Sequence, residues 1–237
     1  MRIASRLGAV LVAGLVAGCA TFPQAPPALP ATYIPEVGAT AAPMRPLSGF
    51  TSAESVAVRL RVEKCRQFTN GSGWVLNDNT VVTNRHVVEG AVRIELTSHD
   101  GIDYTTTGSV VADFADLALV TVEGEFPRAA VIAQEEPQQG DILSIVGYPE
   151  GNRLQTDQGA YGGELDDTLF DGSDRVYYID SPTKPGNSGS PVVNEDDEVV
   201  GVLYAGNSND ASYAVTLPSL QTFLEDDSTH RTADADC

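Results

Sequence analysis

The chain has 237 residues, with 33 acidic against 14 basic side chains and a formal net charge of −19. So acidic a surface repels phosphate and excludes nucleic acid as a partner. Apolar residues make up 42% of the chain, enough for a sizeable core, and 22 glycines with 14 prolines predict many turns.

In chain order, "MRIASRLGAVLVAGLVAGCA" opens with Arg2 and Arg6, continues with an apolar run from Leu7 to Ala17, and ends at Cys19. The run is too short for a transmembrane span and suits an export signal. "VAGC" resembles the bacterial lipobox, in which the cysteine is lipidated after cleavage. Residues 1–18 are therefore expected to be a lipoprotein signal peptide and Cys19 the lipid attachment point. That would make the protein a cell-envelope lipoprotein facing the periplasm or the extracellular space, with the membrane as a partner. Residues 19–50 are rich in proline and alanine without apolar periodicity, and read as an extended tether.

From residue 51 the texture changes. "SVAVRLRVE", "GSGWVLN", "TVVT", "VRIELTS" and "LALVTV" read as short strands divided by Asn, Asp and Gly turns. A second set follows in "DILSIVGYP", "RLQTDQGAYGG", "VYYIDS", "SPVVN", "EVVGVLYAG" and "SYAVT". Short strands at this spacing indicate an all-β sandwich or barrels. "LPSLQTFLED" is the one segment with helical periodicity, with Leu217, Leu220, Phe223 and Leu224 on one face. Residues 51–226 form the expected domain, and 227–237 a polar C-terminal tail. Beyond Cys19 the cysteines are Cys65 and Cys237. In an oxidising compartment they are open to one intrachain bond, to pairing between chains, or to remaining free.

Three stretches carry chemistry: "TNRHVV" with His86, "DFADLALV" with Asp116, and "PGNSGSPVV" with Ser188. A serine hydroxyl becomes a nucleophile only when an imidazole takes its proton, and a carboxylate holds that imidazole in one tautomer. The tetrahedral intermediate needs preorganised N–H donors. Gly186, two residues before the serine, lets the backbone turn so that the N–H groups of Gly186 and Ser188 converge. Asp113 is the rival carboxylate, three residues before Asp116. Of the other histidines, His99 and His230 lie in polar contexts. No His/Cys/Asp cluster has metal-ligand spacing and no phosphate loop occurs, so neither metal nor cofactor is expected.

The run "GSGWVL…TVVTNRHVVEG…DLALV…PGNSGSPVVN…VVGVLYAG" resembles the trypsin-like (chymotrypsin-fold) serine peptidases in their bacterial HtrA-like branch, over roughly residues 55–225. The resemblance implies two six-stranded antiparallel β-barrels with a C-terminal helix. His86 and Asp116 would come from the first barrel and Ser188 from the second, in an endopeptidase acting on protein or peptide. It also implies a substrate pocket lined by Pro182, Thr183, Tyr204, Ala205 and Gly206, with Gly206 leaving space for an extended peptide. Ser190 stands where the family often has glycine, as it does in glutamyl endopeptidases, but Leu203 and Tyr204 supply no pocket histidine. Asn187 replaces the aspartate used in zymogen activation, and Arg85 stands where a small residue is common. "CRQFTNGSGWVL" with a C-terminal cysteine is similar to the membrane-anchored, periplasmic acid-resistance type, and that similarity implies a Cys65–Cys237 disulfide. The alternative is a catalytically silent module that binds peptides or envelope partners on the same fold.

Overall fold

The computed structural model describes residues 49–168, 175–207 and 210–233. The expected signal segment, Cys19, nearly all of the tether and Cys237 lie outside these residues. A helical turn, α1 (Ser52–Val56), starts the domain, with a capping box in which Thr51 and Glu54 satisfy each other's backbone N–H. The sequence pattern suggests that the strand begins at Ser55. The turn takes the first two of its residues, and β1 runs Ala57–Lys64.

Strands β2 (Gln67–Asn77), β3 (Thr80–Thr83), β4 (Ala91–Ser98), β5 (Asp103–Ala112) and β6 (Ala118–Val122) complete the first barrel. The order β5-β4-β1-β2-β3-β6 closes through a β5–β6 pairing. Alternation along β1 sends Val58, Leu60 and Val62 inward at 0% exposure and Arg59 and Arg61 outward. With Val75, Val81, Leu96, Val111 and Val120 they fill the barrel.

The second closed barrel has β7 (Ile142–Gly147), β8 (Gln155–Asp166), β9 (Arg175–Asp180), β10 (Pro191–Val193), β11 (Val199–Gly206) and β12 (Ala211–Thr216). Leu143, Ile145, Tyr177, Ile179, Val192 and Leu203 form its core. Both barrels are antiparallel throughout. A third apolar cluster draws Trp74 and Val82 from the first barrel and Val146, Val202 and Val215 from the second. Helix α3 (Leu217–Glu225), capped by Thr216, adds Leu220 and Phe223 to that cluster. Of the four residues expected on its apolar face, Leu217, Leu220 and Phe223 are buried and Leu224 is partly buried.

The described part of the expected tail, residues 227–233, carries regular structure. A 3-10 turn, Asp227–Thr229, leads into β13 (His230–Thr232), which pairs with β5 on the first barrel.

Candidate active site

His86 sits on a single helical turn, α2 (Arg85–Val88), that follows β3. Val87 and Val88 are fully buried and pin the turn, while the imidazole stays 46% exposed. Its Nδ1 lies 2.5 Å from Oδ2 of Asp116, and the His86 backbone N–H donates to Oδ1 of the same carboxylate at 2.8 Å. The carboxylate therefore engages both ring and backbone. Asp116 is almost completely buried, and the Asn84 amide donates to its carbonyl at 2.7 Å. Asp113 does not reach His86. It is largely exposed and pairs with Arg231 at 2.9 Å.

The Ser188 loop comes from the other barrel. A turn over Lys184–Asn187 is closed by the Asn187 N–H on the Lys184 carbonyl at 3.1 Å, and Gly186 there has φ +96°. That left-handed value suits glycine alone without strain. The Pro185 carbonyl accepts from the Glu150 N–H at 2.6 Å, and the Gly186 carbonyl accepts from the Ser72 hydroxyl at 2.8 Å. With both carbonyls held elsewhere, neither the Gly186 nor the Ser188 N–H is spent on an acceptor among the described residues. The loop is tied to the first barrel by the Ser72 N–H, which donates to the Ser188 carbonyl at 2.8 Å. Gly71 permits this approach: a Cβ there would stand 2.7 Å from the Val87 side chain and 3.4 Å from the Ser188 carbonyl. The His86 turn and the Ser188 loop thus both close on the space left by one glycine.

Sequence reading missed Ser72 and Glu150. The "GSG" motif marks the strand but not the hydroxyl's partners, which lie 76 and 114 residues away. Glu150 adopts φ 57°, in the left-handed region, and only its backbone matters to the loop.

Beside Ser188 lies a cavity of about 250 Å³, lined by Thr183, Lys184, Leu203, Tyr204, Ala205 and Gly206 among others. Of the five residues expected to line the pocket, Thr183, Tyr204, Ala205 and Gly206 do so. Pro182 is exposed and is not among the residues that line it. Gly206 does not leave open space, since a Cβ there would meet the Thr183 methyl at 2.0 Å. Thr183 is held in turn by the Asn187 amide at 3.2 Å. The Tyr204 hydroxyl donates to Asp167 at 2.8 Å. Burial, that bond and the negative charges of Asp167 and Asp116 push its ionisation far above the usual tyrosine range. Tyr204 is therefore held in its neutral, protonated form.

Arg85 and Glu89 flank His86. Arg85 donates to Glu89 at 3.0 Å, and Arg231 of β13 donates to both Glu89 and Asp113. Burial raises the Glu89 pKa, but the hydrogen bonds from Arg231 and Arg85 and their charges outweigh that and hold it below the usual carboxylate range. Lys64 donates to the His86 carbonyl at 2.7 Å. Among the described residues no group of three or more His, Cys, Asp or Glu side chains could hold a metal ion.

Two closed barrels with a histidine–carboxylate pair facing a serine loop define the trypsin-like class. Residues 71–202 match the family model of the trypsin-like peptidase domain, and the chain belongs to that family. It is 31% identical over 162 residues to the probable periplasmic serine endoproteases DegP-like of Chlamydia trachomatis and Chlamydia muridarum. The match takes in 65% of this chain and spans about a third (32%) of those relatives' length. Among solved structures, the active form of the Rv3671c protease from M. tuberculosis superposes with a TM-score of 0.67 at 23% identity, over 73% of this chain and 80% of that one. The serine endoprotease from Yersinia pestis gives 0.63 at 20% identity, over 73% and 63%.

Proposed function

We propose that this protein is an exported serine endopeptidase, anchored to a membrane by lipid on Cys19, that cleaves peptide bonds through an acyl-enzyme on Ser188. The observation that carries the reading is the pairing of His86 with buried Asp116, close to a Ser188 loop whose Gly186 and Ser188 N–H groups have no acceptor among the described residues. In the proposed reaction the Ser188 hydroxyl adds to the substrate carbonyl while His86 Nε2 takes its proton. Asp116 fixes the proton on Nδ1 and stabilises the imidazolium. The new oxyanion accepts hydrogen bonds from the Gly186 and Ser188 N–H groups, a contribution worth about 10²–10³ in kcat per donor. His86 then gives its proton to the departing amine. Water, deprotonated by the same imidazole, releases the acid and restores Ser188.

Among the described residues, the pocket beside Ser188 has no carboxylate in its lining, and Thr183 narrows it. We therefore expect small side chains without a positive charge before the cleaved bond. The expected Cys65–Cys237 disulfide joins this proposal: Cys65 is not a free thiol, although Cys237 lies outside the described residues. The test is digestion of a peptide library by the wild type and by Ser188→Ala. Wild type is expected to cut after small residues and not after Lys or Arg, and Ser188→Ala to lose about 10⁶ in kcat. Equal digestion by both would overturn the assignment, and no digestion by either would favour the silent binding module.

A further inference from the structure

We propose that an arginine-lined cavity on the outer face of the first barrel binds acidic residues of the substrate that follow the cleaved bond. This rests on the peptidase reading above and adds a second specificity site to it. The cavity is about 830 Å³, and Arg59, Arg61, Arg93, Phe68, Asn70 and Gly151 are among its lining residues. The alternation that buries Val58, Leu60 and Val62 puts Arg59 and Arg61 outside, and the β1–β4 register sets Arg61 opposite Glu95 and Glu63 opposite Arg93. Arg93 takes both carboxylates, at 3.3 Å from Glu63 and 2.8 Å from Glu95. Asp103, also in the lining, accepts from Thr97.

Arg59 and Arg61 have no carboxylate partner among the described residues. Arg61 lies over the Phe68 ring, 5.2 Å from its centroid, and Arg59 reaches only the Gly151 carbonyl at 3.4 Å. Phe68 is itself 60% exposed. In a chain with 33 acidic side chains, two arginines left unpaired in one cavity are a site kept open for an anion. A planar guanidinium binds a carboxylate through two parallel N–H donors.

The cavity's position says which part of the substrate arrives there. Asn70 adjoins Gly71, beside which both the His86 turn and the Ser188 carbonyl lie. Gly151 follows Glu150, whose N–H holds the Pro185 carbonyl of the Ser188 loop. The smaller pocket, bounded by Tyr204–Gly206 of β11, adjoins Ser188 through other residues and takes the side chain before the bond. The chain after the bond leaves on the Asn70–Gly151 side, toward the arginines. An extended segment of about four residues covers ~13 Å there.

The experiment uses quenched peptides identical before the cleaved bond and carrying Asp/Glu, Asn/Gln or Lys in the four residues after it. The same peptides, dye-labelled, are titrated against the Ser188→Ala protein, so binding is read without turnover. Acidic peptides should exceed neutral ones by about tenfold in kcat/KM and in affinity, less as salt is raised. Arg59→Gln with Arg61→Gln should erase that preference and leave the neutral peptide's cleavage unchanged, while Arg59→Lys with Arg61→Lys retains part of it. Equal binding of acidic and neutral peptides, a preference that survives the double glutamine variant, or binding of anionic vesicles without binding of acidic peptides would overturn the proposal. Binding preference without cleavage by wild type would uphold this site and overturn the peptidase reading instead.

Discussion

Ser72 is fully buried, and its hydroxyl stands between the two barrels. It accepts the Tyr148 N–H at 2.8 Å and donates to the Gly186 carbonyl at 2.8 Å. Ser72→Ala would leave a buried carbonyl and a buried N–H without partners, at a cost of about 1–3 kcal/mol each. Because the bond to Gly186 orients the proposed oxyanion donors, kcat should fall about 10–100-fold with KM little changed. Steady-state kinetics and urea unfolding of the variant check both. The result at Ser190 is of another kind. Its hydroxyl is buried without a partner among the described residues, and a Cβ at Gly147 would lie 1.9 Å from it. Gly147 therefore makes room for the serine that stands where the family often has glycine. His86, Asp116 and Ser188 stood out as candidates in the sequence because each sits in a local motif. Ser72 and Glu150 were not, because their roles depend on partners supplied by the opposite barrel or by the folded loop.

At the scale of elements, the pattern of alternation located most strands, and the spacing of Leu217, Leu220 and Phe223 located α3. Strand β13 was not legible: three polar residues carry no alternation, and their partner β5 is distant in sequence. The strand has a consequence for the site. Arg231 joins Glu89, which follows α2, to Asp113, in the loop that carries Asp116. His230 is likewise not in an open polar setting, for its ring packs on Phe223 at 4.5 Å and its Nε2 lies 2.7 Å from the Phe223 carbonyl. Arg231→Ala should cost under about 1 kcal/mol at neutral pH, since these pairs are partly exposed. The Glu89 pKa is lowered in the folded state, so its contribution is present above the ordinary value of 4.5 and lost as pH falls through the folded value. Thermal unfolding of wild type and Arg231→Ala should therefore differ at pH 7 and converge in the acid range below 4.5. A gap that is constant with pH would show that Arg231 acts through packing alone.

At the scale of the whole molecule, strand spacing indicated an all-β domain but not how it closes. Closure into two barrels depends on the β5–β6 and β7–β10 pairings, and no local pattern encodes those; the family resemblance supplied them. Export and anchoring belong to this scale too. Among the described residues no helix is long and apolar enough to cross a membrane. If Cys19 carries the lipid, metabolic labelling with an alkyne fatty acid should mark the wild type and not Cys19→Ser, and the variant should leave the membrane fraction. The central claim is that two barrels bring His86, Asp116 and Ser188 together as one acylating unit. A fluorophosphonate probe followed by peptide mapping tests it most directly. One adduct is expected, on Ser188, formed in the wild type and lost in His86→Ala. An adduct elsewhere, or labelling of Ser188 at the same rate without His86, would contradict it.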